Sequence, residues 1–281
     1  MNISDLESMD ENEQRRKAVN FDANFRELNR KLRELHAFLG QLDFLMFGRD
    51  FQVIKGVFPF SPNEIISSSS QTLNNMILCC EVGSFGDAYT LLRKLRDNLF
   101  FYLYILEASN STDILSETEM NKHELNIKRW LQNELSGLYF RNILQFLSDS
   151  NSLNPAIEKY SLEEAINKIN GTLNNYVHSN GAEFLNHPVG YHFNKDTKAF
   201  SDELYSIAEL IIVSFLFFLI LLQGNLISST DYVDSLDCQQ EPEEGSQYWV
   251  APFVKEFVQN HVGVLGDDCD EFLKKATYMK I

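Results

Sequence analysis

Glycine and proline are scarce in this chain, which has 13 Gly and 6 Pro among 281 residues, beside 22 Phe and 11 Tyr. An all-β protein needs turn residues between its many short strands, and collagen-like or low-complexity chains need far more of both, so these classes are excluded. Because 44% of the residues are apolar, the chain can bury a substantial core. We therefore expect an all-α fold, a helical bundle.

Basic residues are also few. The chain has 24 Lys and Arg against 40 Asp and Glu, which gives a formal charge of −16 and a pI near 4.8. This balance disfavours binding of a phosphate backbone over the whole surface, because the surface itself repels polyanions. A role on nucleic acid would need a local basic patch.

Motifs for metals and cofactors are missing from the sequence. The four cysteines, Cys79, Cys80, Cys238 and Cys269, form no C-x-x-C pair with histidine partners, and the chain has no glycine-rich phosphate loop and no H-E-x-x-H motif. We therefore expect no cofactor and no metal. The first sixteen residues are acidic and polar, unlike a secretory signal, so a cytoplasmic protein with reduced thiols fits best.

One long apolar run extends from Leu210 to Leu222 and is interrupted only by Ser214. A bilayer core needs about 20 apolar residues, and no Lys or Arg anchors this shorter run at either side. We expect a central buried helix that begins near Lys198, with a membrane span as the alternative.

The clearest periodicity runs from Ala18 to Met46, where apolar residues alternate at steps of three and four with charged residues between them. This heptad pattern predicts a long amphipathic helix that packs along another helix at a shallow angle. The partner helix could be internal, as in a helical hairpin. It could also belong to a second copy of the chain or to a helical protein partner.

Three Ser-x-x-Glu capping boxes, at Ser61, Ser116 and Ser161, predict further helix starts. The first helix should end near Val82, the second should continue through Trp130 to Ile143, and the third should stop at Asn180-Gly181. Another helix should begin near Asp87. We expect three regions: residues 1–60 with the long helix, a helical core at 61–230, and an acidic linker with short docked helices, starting at Pro252 and Glu271, at 231–281.

Two polar clusters could support chemistry. The first is Arg93, Lys94, Arg96 and Asp97, where Arg93 and Asp97 are four residues apart and can pair on a helix surface. Arg96 flanks the apolar face, so its head must reach out of the core edge or meet a buried acid. The alternative is that these arginines contact an anion or an RNA phosphate.

The second cluster is Asn174, Asn175 and His178. The apolar stripe of the same helix predicts that His178 lies on the opposite side, either facing solvent or in a polar interface; the stripe comprises Leu162, Ile166, Ile169, Leu173 and Val177. Histidine titrates near neutrality and can act as a general acid or base, and asparagine can orient a phosphate or a water.

The segments from Gly83 to Asp97, with the pattern Gly-x4-Ala-x2-Leu-Leu-Arg-x3-Asp, and from Leu173 to Ser179, with Leu-Asn-x-Tyr-Val-His-Ser, resemble the HEPN-related helical proteins. The resemblance covers about 61–222 and implies an all-helical component of a bacterial abortive-infection or toxin–antitoxin system. Active members carry an Arg a few residues before the His, in a metal-independent ribonuclease site at a dimer interface. Here Leu173 and Asn174 occupy the motif positions, so only His178 matches.

The sequence therefore leaves three functions open. The first is a non-catalytic or partner-dependent interaction component of a bacterial defence or toxin–antitoxin-type system, which assembles through the heptad helix, Ala18 to Met46, and the acidic C-terminal tail. The second is a divergent ribonuclease, with His178 as acid or base, Asn174 or Asn175 orienting, and Arg93 or Arg96 stabilising phosphate charge. The third is a membrane-acting effector that uses the apolar run 210–222.

Overall fold

The structure is a computed structural model, and it describes residue 13 and residues 15–116, 119–134, 138–177 and 196–281. Helices dominate these residues, so the predicted all-α bundle is confirmed. The helices are α1 (Ala23–Met46), α2 (Glu64–Glu81), α3 (Phe85–Asn110), α4 (Lys122–Leu131), α5 (Phe140–Ser148), α6 (Asn154–Lys159), α7 (Leu162–Val177), α8 (Thr197–Gln223), α9 (Asp231–Asp237), α10 (Pro252–His261) and α11 (Cys269–Thr277). Short 3₁₀ turns lie at Gly224–Ile227, Ser246–Tyr248 and Val262–Val264.

The long N-terminal helix is not confirmed as one continuous helix from Ala18. The helix breaks at Asp22, whose carboxylate accepts hydrogen bonds from the backbone N–H of Asn24 at 2.8 Å and of Phe25 at 3.2 Å. An acidic side chain at this position caps a new helix start, so α1 begins at Ala23. Phe21, expected in the seam, is exposed instead.

The heptad seam within α1 is covered by the chain itself. Its side chains are buried, and α1 packs against α2 and α8. The buried seam residues are Phe25, Leu28, Leu32, Leu35, Leu39, Leu42 and Met46. The seam of α1 therefore packs on helices of the same chain. A protein partner would have to contact another surface of α1.

Helices α3 and α8 form the centre of the bundle. Helix α3 packs against α2, α5, α7 and α8, and it has an apolar face that is buried throughout: Ala88, Leu92, Leu95, Leu99, Leu103 and Leu106. Residues 211–220 of α8 are all buried, as expected for a central helix. With its 3₁₀ extension, α8 (Thr197–Ile227) is long and apolar enough to cross a membrane, but 67% of its apolar window is buried inside the protein.

The helix expected from Ser116 through Trp130 to Ile143 is wrong in its start and its continuity. Asn121, not Ser116, caps α4: its side chain accepts from the N–H of Glu124 at 3.0 Å, and Glu124 accepts from the N–H of Asn121 at 2.6 Å. The helix ends at Leu131, and Asn133 then takes a left-handed conformation with φ 58°. A separate helix, α5, begins at Phe140.

The other predicted helix starts are close to the observed ones. Glu64 begins α2, but the hydroxyl of Ser61 donates to Asp50 instead of capping the helix. Leu162 begins α7 directly after Ser161, whereas the expected stop at Asn180-Gly181 lies outside the described residues.

The region expected to be an acidic linker is partly helical, because α9 and the turn Ser246–Tyr248 lie within it. Pro252 begins α10 as expected, and α11 follows. These helices dock on the bundle by aromatic contacts: the ring centres of Phe38 and Phe257 are 3.6 Å apart. The buried core includes residues from Val19 to Ile281.

Candidate functional site

Arg96 is the most constrained charged side chain near the predicted site, because its side chain is completely buried. Its Nε and Nη2 donate to Oδ1 of Asp97 at 3.0 and 2.6 Å, and its Nη1 donates to Oδ1 of Asn170 at 2.6 Å. Its guanidinium carbon lies 3.9 Å from the centre of the Phe140 ring. The cation is therefore held by a carboxylate, an amide and an aromatic face.

Two antiparallel helices bring these residues together. The rings of Tyr89 in α3 and Tyr176 in α7 stack at 3.9 Å with an angle of 2° between their planes. Seven residues later in α3, Arg96 meets Asn170, which lies six residues earlier in α7. This register places Asn170 of α7 beside Arg96 of α3.

Burial lowers the pKa of Arg96 from its ordinary value, and the neighbouring Asp97 acts in the opposite direction. Burying a charge that has no partners costs folding free energy. For Arg96, the hydrogen bonds to Asp97 and Asn170 and the Phe140 ring offset this cost. The Asp97 side chain is 41% exposed, so the pair has one end in solvent. Neither arrangement expected for Arg96 is found as stated: its head does not reach out of the core edge, and the acid that it meets, Asp97, is partly exposed and not buried.

Arg93 lies closer to solvent than Arg96. Its Nε is 3.8 Å from Oδ2 of Asp97, so the expected pair four residues apart is present, with the Arg93 side chain 27% exposed. Of the two arginines considered for phosphate contact, only Arg93 has exposed surface.

The expected cluster at the end of α7 is described only in part. Asn174 and Asn175 are half-buried, and His178 lies outside the described residues. Asn174 follows Asn170, the partner of Arg96, by one helical turn. One stripe position is corrected: Val177 is exposed and Tyr176 is buried in its place, because Tyr176 stacks on α3.

Beside Arg96 an aromatic cleft of about 330 Å³ opens between α3, α4 and α5. The ring centres of Phe101 and Trp130 in its wall are 5.0 Å apart, edge to face. The cleft is lined by Asp97, Asn98, Phe101, Trp130, Leu138, Phe140 and Ile143. These lining residues could bind an apolar or aromatic group, and they include no nucleophile or histidine.

A second polar group, which the sequence gave no reason to combine, lies between α8 and α10. Nδ1 of His261 is 2.7 Å from Oε1 of Glu209, and the hydroxyl of Tyr205 donates to the same oxygen at 2.9 Å. A carboxylate-oriented histidine can act as an acid or base. The adjoining cleft of about 370 Å³ has no Ser, Thr, Cys or Lys side chain in its lining: Glu34, Ala37, Phe38, Gln41, Phe253, Glu256, Phe257, Asn260 and His261.

In the described part of the chain, no group of three or more His, Cys, Asp and Glu side chains is arranged to hold a metal ion. Comparison with family models, with curated proteins and with solved structures finds no match to this chain.

Proposed function

We propose that this chain is a non-catalytic or partner-dependent interaction component, a HEPN-like helical protein of the kind that serves bacterial defence or toxin–antitoxin-type systems. The complete burial of Arg96 carries this proposal. The setting rests on the resemblance of the two segments around Arg93 and His178.

A phosphate-stabilising arginine must present its N–H groups to the substrate. Arg96 directs three of its nitrogens to Asp97 and Asn170, and its guanidinium carbon lies over the Phe140 ring. Releasing it would break its hydrogen bonds to Asn170 and Asp97 and its contact with the Phe140 ring. Arg96 is therefore a positioning residue that ties α3 to α5 and α7.

The divergent ribonuclease remains the second candidate, and it now depends on Arg93. Arg93 is partly exposed on the same helix and shares Asp97 with Arg96. Such an enzyme would combine Arg93 with Asn174 or Asn175 and with His178. The membrane-acting effector has less support, because residues 211–220 are all buried in the bundle and would have to give up this packing to meet lipid.

The test is incubation of the purified full chain at micromolar concentration with labelled single-stranded RNA, with EDTA present to suppress contaminating metal-dependent nucleases. The proposal predicts intact RNA for the wild type, Arg93→Ala and His178→Ala alike. Cleavage by the wild type that both variants lose would favour the ribonuclease. Cleavage that persists in both variants would indicate a contaminant, to be removed by further purification.

A further inference from the structure

Four phenylalanines stand out from the surface within fifteen residues, at the end of α1 and in the segment that follows. Phe44 is 85% exposed, Phe47 76%, Phe51 64% and Phe58 91%. Single exposed apolar residues are normal, but so many large aromatic side chains in one short stretch indicate an interaction surface. We call residues 44–58 the exposed aromatic segment.

The exposed aromatic segment has an inverted pattern. Asp50, Gln52 and Ile54 are buried, at 0–2% exposure, whereas the alternate residues Phe51 and Val53 face outward. Extended backbone directs successive side chains to opposite sides. Two polar side chains, Asp50 and Gln52, thus point into the protein while the apolar Phe51 and Val53 between and after them point out, which is opposite to the usual arrangement of a surface segment.

The buried polar side chains fasten this segment to the bundle. Asp50 accepts hydrogen bonds from the hydroxyl of Ser61 and, at 3.3 Å, from that of Tyr102. The amide of Gln52 donates to Oε1 of Gln223 at 3.2 Å.

The backbone fastens the segment as well. Gln52 and Phe60 pair through two bonds of 2.7 and 3.1 Å. Gly56 adopts φ 67°, and a Cβ there would lie 3.0 Å from Cε of Met120. The outward phenylalanines are therefore presented by an anchored backbone, which lowers the entropy lost on binding.

The size and charge of the surface narrow the choice of partner. The four side chains expose roughly 600 Å² of aromatic surface, close to the roughly 800 Å² that each partner contributes to a standard protein interface. Arg49 and Lys55 are the basic residues of the segment, and its one acid, Asp50, is buried. The segment thus exposes no carboxylate, although the chain carries a charge of −16.

We propose that two copies of this chain associate through the exposed aromatic segment, in a contact with two-fold symmetry. This inference rests on the proposed interaction function. It assigns the interaction surface to the exposed aromatic segment at the end of α1 instead of the buried heptad seam. The same aromatic patch on both copies is self-complementary, as a two-fold contact requires. The segment itself brings no exposed carboxylate into the contact, because its one acid, Asp50, is buried.

An anionic membrane is a poorer partner for the same surface. Anionic headgroups are bound by clusters of basic residues, and the segment has only two, Arg49 and Lys55. One of them, Arg49, already donates through Nη1 to the carbonyl of Ser228 at 2.8 Å.

The test is sedimentation equilibrium of the full chain from 1 to 100 µM, with the double variant Phe51→Lys/Phe58→Lys. The wild type should sediment at twice the chain mass of 32.5 kDa, and the double variant should associate at least 100-fold more weakly. The matched control is Phe21→Lys, which replaces a phenylalanine of 85% exposure outside the segment and should remain dimeric. Circular dichroism should show equal helicity for all three proteins.

A wild type that is monomeric at 100 µM would overturn the proposal, as would a double variant that still forms the dimer. Flotation of a monomeric wild type with phosphatidylcholine/phosphatidylglycerol vesicles, lost in the double variant, would also overturn it and assign the segment to membranes. The RNA assay distinguishes the two proposals: a dimer that cleaves RNA contradicts only the non-catalytic function, and a monomer that leaves RNA intact contradicts only the dimer.

Discussion

The guanidinium carbon of Arg96 lies 3.9 Å from the centre of the Phe140 ring, so a residue in the middle of α3 is covered by the first residue of α5. Together with the bond from Arg96 to Asn170, this contact joins three helices at one buried cation. Arg96 therefore stabilises the bundle and is not presented to a ligand.

Replacing this cation should cost much more stability than replacing its neighbour. Arg96→Met removes charged hydrogen bonds, each worth about 1.5–3 kcal/mol, and regains part of the desolvation cost, so we expect a loss of about 2–3 kcal/mol. Arg93→Met removes a partly exposed 3.8 Å pair and should cost less than about 0.5 kcal/mol. Urea unfolding followed by circular dichroism measures both. Equal losses would contradict the structural role of Arg96.

The partner of Arg96 in α7 provides an independent check. Asn170→Ala leaves Nη1 of a completely buried guanidinium without its 2.6 Å acceptor, so we expect a loss of about 1–3 kcal/mol. The control is Asn174→Ala, one turn further along the helix, which should cost less than about 0.5 kcal/mol. In a double-mutant cycle, additive effects of Arg96→Met and Asn170→Ala would contradict a direct interaction.

Long periodic helices could be predicted from the sequence, and their interruptions could not. The apolar run of α8 and the leucine face of α3 place both helices correctly, because they depend on local patterning. The break at Asp22 does not follow from the heptad pattern. A polar residue fits position 22 whether the helix continues through it or begins after it. Two capping signals compete before α4, and Asn121 with Glu124 prevails over Ser116.

The site was harder to predict than the fold. The sequence identifies Arg93, Arg96 and Asp97 as a cluster, but it does not show that Phe140 and Asn170 bury Arg96, because these partners come from other helices. The exposed aromatic segment had a local signal in the density of phenylalanine after α1. Which of those rings face solvent depends on the tertiary anchoring of Asp50 and Gln52.

The anchor of the aromatic segment predicts a pH dependence. Burial is the main cause that raises the pKa of Asp50 above 3.8, so the carboxyl is harder to ionise in the folded protein than in the unfolded chain. Stability contributed by Asp50 therefore increases as pH falls from the raised pKa towards 3.8, and it is lost again above that range. We expect Asp50→Asn to be more stable than the wild type at pH 7, with an advantage that shrinks as the pH falls to 4. Urea midpoints across this range test it, and a variant that is less stable at pH 7 would contradict it.

The four cysteines should differ in reactivity. Cys238 is exposed, whereas burial raises the pKa of the Cys79 and Cys80 thiols and, at Cys269, raises it to about 11. Because the thiolate is the reactive form, iodoacetamide at pH 7.5 should modify Cys238 first. Mass spectrometry of peptides follows the order. Labelling of Cys80 or Cys269 as fast as Cys238 in the folded protein would contradict the described burial.

The central claim is that this chain does not cleave RNA by itself. The most direct measurement is induced expression of the wild type, His178→Ala and Arg93→Ala in a bacterial host, with growth and the integrity of total RNA followed over time. The account predicts intact RNA in all three cultures, whether or not growth slows. Growth arrest with fragmented RNA in the wild type, and neither effect in His178→Ala or in Arg93→Ala, would contradict it and favour the ribonuclease.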